Sequence, residues 1–150
     1  MEKKLEKKLK IKLKKINVEF CDLKFLAGDA SNRKYFELKQ GKKKNVLMYD
    51  SQYKNINNFL KITEILKEEV SVPEIIKDYK DEGMLIIENL GSKKYSFFMN
   101  QKNKKELYEV AVDALIWIHQ KKKLPKILKY DRKEFLEESN LFFKWYLPLF

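Results

Sequence analysis

Between two strand-like stretches lies the run Gly28-Asp29-Ala30-Ser31-Asn32, followed at once by Arg33. A loop of small residues between paired strands can turn successive backbone N–H groups toward the oxygens of a phosphate, forming a concave, positively polarised nest. Arg33 adds a planar guanidinium able to grip phosphate oxygens in bidentate fashion. On its own residues the loop has two readings, a phosphate cradle and a plain hairpin turn. Arg33 has two as well, a phosphate donor and a surface partner for an acid such as Glu37. Other chemistry is thin. His119 is the sole imidazole and Cys21 the sole thiol, too few for a zinc site or a disulfide framework. His119 falls near the end of a helical stretch, where the helix dipole favours a cationic ring, and no nucleophile-plus-base pair accompanies it.

Charge suggests a different class of function and then argues against it. The 150 residues carry 33 Lys and Arg against 22 Asp and Glu, a net charge of +11. Only Arg33 and Arg132 are arginine, and the lysines are spread along the whole chain. Base readers and phosphate clamps favour the arginine fork over the hydrated point charge of lysine, so no nucleic-acid partner is expected. The competing reading is a non-enzymatic basic module that binds RNA or an anionic membrane surface, with affinity that collapses as salt rises. No apolar run approaches the ~20 residues that span a bilayer, and no apolar signal core follows Met1, so the expected compartment is the cytoplasm.

The elements that would position the loop can be read from hydrophobic period. Leu5, Leu9, Leu13 and Ile16 recur at helical spacing and predict a basic amphipathic helix over residues 1–16, packed on the sheet-bearing part of the chain. Strands are expected over 19–26, 34–38 and 45–49, as two hairpins in series, so the sheet begins antiparallel. A helix is expected next over about 57–69, ended by Val72-Pro73. Further strands are expected at 74–79 and at Met84-Leu85-Ile86-Ile87, whose continuous apolar run suits a strand covered on both faces. From Asn103 the residues Leu107, Val110, Ala111, Ala114, Leu115 and Ile118 form a helical stripe that ends near Leu124-Pro125. A last helix over 134–147 carries Phe135, Phe142, Trp145 and Tyr146. The organisation expected is a basic helix (1–17), a sheet-bearing part (18–91) and a helical part (92–150).

The run Leu26-Ala27-Gly28-Asp29-Ala30-Ser31-Asn32-Arg33-Lys34-Tyr35-Phe36 resembles the opening motif of the aminoglycoside-phosphotransferase family, nearest its branch of bacterial kinases that act on the anomeric position of cell-wall amino sugars. Val46-Leu47-Met48, Ser71-Val72-Pro73-Glu74-Ile75, Leu85-Ile86-Ile87-Glu88-Asn89-Leu90-Gly91 and Phe143-Lys144-Trp145-Tyr146-Leu147 come after it in that branch's order. The resemblance implies an α+β fold: a protein-kinase-like amino-terminal lobe, with a five-stranded antiparallel sheet and one helix, then the first helices of a carboxy-terminal lobe. It implies that Gly28, Asp29, Ala30, Ser31, Asn32 and Arg33 cover the phosphates of ATP. It also implies that Val46 and Ile87 line the adenine slot, and that Glu88, Asn89 and Leu90 form a hinge whose backbone groups pair with adenine.

Two departures from kinases in general matter. Kinases pair a lysine of the third strand with a glutamate of the helix to hold the phosphates. This chain has Val46-Leu47-Met48-Tyr49 and Asn57-Asn58-Phe59 at those places. Arg33 is the natural substitute donor, and Glu64 falls too late in the helix to be its partner. After the hinge the only aspartates are Asp113 and Asp131, and neither stands in a His-x-Asp-x-x-x-x-Asn arrangement. The catalytic aspartate and the magnesium ligands are therefore expected in a carboxy-terminal lobe that this chain lacks. Its expected function is the nucleotide-binding part of an ATP- and Mg2+-dependent sugar kinase, the truncation being natural, a split gene or a frameshift, or else the sign of a product without function. The expected partners are a nucleotide, a sugar in the intact relative, and either the missing lobe or a second copy through the aromatic cluster ending at Phe150.

Overall fold

Leucines at every fourth position with lysine between them make helix α1 (Glu2–Lys15). It ends because Asn17 adopts a left-handed conformation, φ 55. In that geometry the Val18 N–H donates to the Leu13 carbonyl at 2.9 Å and the Asn17 N–H to that of Lys14 at 3.1 Å, closing carbonyls the helix would leave open. The computed structural model describes residues 2–28, 32–120 and 131–149, in two compact units, Met1–Gln120 and Lys121–Phe150.

The first unit continues with β1 (Asp22–Ala27), β2 (Lys34–Gln40), β3 (Lys43–Tyr49), α2 (Tyr53–Leu66), β4 (Ile75–Tyr79), β5 (Met84–Ile87), the single turn α3 (Tyr95–Phe98) and α4 (Lys104–Gln120). The strands form one five-stranded sheet in the order β1-β2-β3-β5-β4, and every neighbouring pair is antiparallel. The α+β class and the five-stranded antiparallel sheet are as the sequence leads one to expect.

Strand side chains alternate between faces, and here both faces are covered. Leu23, Phe36, Leu38, Leu47, Met84 and Ile86 are buried on one side with Leu9 and Leu13 of α1. Val46, Met48, Leu85 and Ile87 are buried on the other with Ile56 of α2, against which Tyr35, Phe59 and Leu60 also pack. This division accounts for the unbroken apolar run of β5, since its four side chains are shared between two cores.

Helix α2 begins four residues before the periodicity places it, and the cause is Asp50. Its carboxylate is buried, with 1% of the residue exposed. It accepts the Gln52 N–H at 2.8 Å and the Asn55 side-chain amide at 3.0 Å, tying the residue before the helix and a side chain of its first turn to one buried carboxylate. The Asp50 N–H donates in turn to the Gly83 carbonyl at 3.0 Å. The end also moves, because α2 stops at Leu66 and residues 67–70 continue only as turns. In the second unit, α5 (Arg132–Leu141) is capped by Asp131, which accepts the Lys133 N–H at 2.7 Å. The single helix expected over 134–147 is not regular throughout. The Leu147 N–H reaches back five residues to Phe142, a widened π-type turn, and Pro148 has no N–H with which to resume the α ladder. The expected helix end near Leu124-Pro125 and the terminal Phe150 lie outside the described residues.

Gly83 is the tightest point of the sheet-to-helix junction. Its φ is +68, and a Cβ there would stand 2.4 Å from the Asp50 carbonyl oxygen. Gly83→Ala combines left-handed backbone strain with that collision, and we expect a loss of about 1–3 kcal/mol. Urea unfolding of both proteins checks this, and an unchanged midpoint would refute it.

Candidate functional site

The β1–β2 connection starts at Gly28, whose φ is +144. A Cβ there would meet the Lys34 side chain at 2.4 Å and the Arg33 carbonyl at 2.9 Å, so the chain doubles back too closely for any side chain. The Lys34 ammonium donates to the Gly28 carbonyl and ties the two ends of the loop together. Asp29, Ala30 and Ser31 lie outside the described residues, and Asn32 is exposed. Just before the loop the β1–β2 register slips between Phe25 and Ala27, leaving Leu26 54% exposed.

Arg33 is half-buried. Its guanidinium carbon stands 5.3 Å from the centroid of the Phe59 ring, on the inner side of α2. Tyr35, two residues on, packs into the α2-side core, whereas Phe36 and Leu38 belong to the α1-side core. The carboxylate of Glu37 meets the Lys44 ammonium at 3.3 Å.

Val46 and Ile87 are cross-strand partners. They are nearly buried, at 7% and 5% exposure, and share the α2-side core with Met48, Ile56 and Leu85. The structure therefore brings Arg33, Val46 and Ile87 to one face of the sheet, the face that α2 covers. Of the three residues expected as a hinge, Glu88 is fastened to the start of β4: its N–H donates to the Glu74 carbonyl at 2.9 Å, and its carboxylate accepts the Glu74 N–H at 3.2 Å. The side-chain oxygen of Asn89 accepts the Gly91 N–H at 2.8 Å, an Asx turn that bends the chain away from the sheet. Leu90 is exposed.

Met48, expected in the place of the strand lysine, has none of its surface exposed to solvent. Glu64 is exposed and pairs with Lys67 at 2.7 Å. Among the described residues, no group of three or more His, Cys, Asp and Glu side chains comes together as a metal site, and no helix is long and apolar enough to cross a membrane. Sequence reasoning does not single out two residues that organise this face, Phe59 as the seat of Arg33 and Asp50 as the anchor of α2. An aspartate three residues ahead of the first helical residue, with an asparagine five residues beyond it, is the signal that could have found Asp50.

Comparison with known proteins adds to this geometry. The chain is similar to three proteins named N-acetylmuramate/N-acetylglucosamine kinase. It is 31% identical to that of Pseudomonas aeruginosa over 123 residues, 81% of this chain and 36% of the relative. It is 26% identical to that of Neisseria meningitidis over 132 residues, 84% of this chain and 39% of the relative. The Pseudomonas putida protein is 29% identical over 124 residues, 81% of this chain and 36% of the relative. The chain thus spans a little over a third of the length of these curated relatives, and over that length it is related to kinases. No family model matches it, and no solved structure matches it.

Restoring a strand lysine at position 48 would place an ammonium in an apolar core with no carboxylate of α2 beside it. Met48→Lys should cost about 3–5 kcal/mol, the penalty of an uncompensated buried charge. Thermal unfolding at neutral pH reads this directly, and a melting temperature equal to that of the unmodified chain would contradict it.

Proposed function

We propose that this chain is the nucleotide-binding part of an ATP-dependent sugar kinase: the kinase-like amino-terminal lobe of an aminoglycoside-phosphotransferase relative that acts on a cell-wall amino sugar. The relationship to kinases named for N-acetylmuramate and N-acetylglucosamine supports the substrate class. The observation that carries the nucleotide reading is the shared face. The guanidinium of Arg33 and the apolar Val46–Ile87 pair lie on one side of the sheet, the side that α2 covers. Backbone N–H groups and a guanidinium suit phosphate, and an apolar pair beside them suits a purine ring.

In this reading residues 28–33 cover the phosphates, and adenine lies against Val46 and Ile87. The base pairs with backbone groups of Glu88, Asn89 and Leu90 other than the Glu88 N–H, which β4 already uses. ATP supplies the phosphoryl group. The magnesium ligands and the aspartate that orients the sugar hydroxyl belong to a carboxy-terminal lobe.

Helices α4 and α5 have no buried residue. On α4, Tyr108, Val110, Val112, Leu115, Ile116 and Trp117 are all exposed, so apolar side chains face more than one direction. A helix of that kind is built to be covered. In the intact enzyme the carboxy-terminal lobe would cover it, and in the isolated chain a second copy would.

Titrating ATP and adenosine against the chain and against Arg33→Ala should show a loss of roughly ten- to a hundredfold for ATP alone, the worth of hydrogen bonds to a charged group. Equal weakening of both ligands, or of neither, would remove Arg33 from the phosphate site. Independently, sedimentation of the isolated chain should show self-association that grows with concentration. A clean monomer that binds no apolar dye would count against the exposed helices as packing surfaces.

A further inference from the structure

In kinases generally, the helix beside the sheet contributes a carboxylate that holds the phosphate-binding cation. The corresponding stretch of α2 is Asn57-Asn58-Phe59, and the ring of Phe59 lies 5.3 Å from the Arg33 guanidinium carbon. We infer that Phe59 is a positioning residue for Arg33, an aromatic ring in the place of the helix carboxylate that orients the guanidinium for a nucleotide phosphate. The inference rests on the nucleotide reading above and deepens it.

Three features carry it. Phe59 packs against the core of Val46, Met48, Ile56, Leu85 and Ile87, so its ring is held by the side of the sheet that would face the nucleotide. Its helix cannot slide along the sheet, because Asp50 fixes the first turn and Ile56 is fully buried three residues before Phe59. The third feature is chemical. A carboxylate engages the N–H edge of a guanidinium and competes there with phosphate, whereas a ring attracts the cation through its negatively polarised face. An aromatic seat orients the arginine and does not neutralise it.

The test compares Phe59→Leu, which keeps apolar volume, with Phe59→Tyr, which keeps the ring, in the whole chain. Calorimetric titration with ATP should show about a three- to tenfold weaker affinity for Phe59→Leu, in the range of a partly buried cation–π contact. Adenosine affinity should be unchanged, and Phe59→Tyr should bind ATP like the unmodified chain. Adding Phe59→Leu to Arg33→Ala should cost nothing more, because the ring acts through the arginine. ATP affinity untouched by Phe59→Leu, or ATP and adenosine weakened alike, overturns the inference while leaving the nucleotide reading standing. If Arg33→Ala shows no ATP-specific loss, the phosphate role of Arg33 fails first and takes the inference with it. Should the leucine variant not fold, the Arg33 side-chain N–H resonance of the unmodified chain decides. A ring-current shift that changes with ATP and not with adenosine supports the inference, and its absence rejects it.

Discussion

The join between Asp50 and Gly83 is the constraint on which the rest of the first unit depends. One buried carboxylate starts α2, while the backbone of the same residue is bonded to the turn that leads into β5. The turn is reached from the other side as well. The Lys12 ammonium of α1 donates to the Glu82 carbonyl at 2.6 Å and pairs with its carboxylate at 2.8 Å. The helix above the sheet and the helix below it are therefore both referred to residues 80–83. A backbone hydrogen bond in such a place is worth only about 0.5–1.5 kcal/mol net. Its importance is geometric, because every inward residue of α2 takes its place from it.

With α2 fixed there, the loss of a strand lysine and a helix carboxylate has a consistent physical outcome. An ion pair in that core would face a desolvation cost that its own attraction does not always repay. Met48 and Ile56 make the same sheet-to-helix contact by apolar burial, which carries no such cost. In the proposed reading the charge that phosphates require sits at the edge of the core, on the half-buried Arg33, whose guanidinium has the Phe59 ring beside it. Attachment of the helix and provision of charge, which one salt bridge joins in kinases, would in that reading fall to different residues.

Much of this was legible in the sequence, for identifiable reasons. The five strands were readable because alternation, glycine turns and the apolar run Met84-Leu85-Ile86-Ile87 each have a local cause. The buried leucines of α1 were readable because a fourfold spacing admits one explanation. What was hidden depends on contacts distant in the chain. The start of α2 is tied to Asp50, which is itself held by the bond of its backbone N–H to Gly83, 33 positions later. The seat of Arg33 is Phe59, which from sequence reads only as one more apolar residue on a buried helix face. The interruption at Phe142–Tyr146 was missed because aromatic spacing alone reads as a continuous helix, and the decisive residue, Pro148, lies beyond it. Gly28, Arg33, Val46 and Ile87 were legible as separate candidates. That the last three share a face is a consequence of β2 and β3 pairing in the register Tyr35 to Met48 and of β3 and β5 pairing in the register Val46 to Ile87, which no single strand discloses.

The distribution of burial separates what this chain packs by itself from what it leaves exposed. The sheet has a helix on each face, and 14 apolar residues at or below 7% exposure form its two cores. Sheet edges and faces left open are where small β structures associate or fail, and α1 removes that liability from one face as α2 does from the other. Helices α4 and α5 have no comparable cover, and Phe97, Phe143 and Trp145 are among the most exposed large apolar residues, at 74%, 63% and 66%. Apolar burial near 25 cal/mol per Å2 makes such surface a strong driving force for association. The sheet with α1 and α2 is thus packed on both faces, and the helices beyond it are not. That is the division expected if binding of ATP and transfer of its phosphoryl group reside in separately packed parts of one kinase.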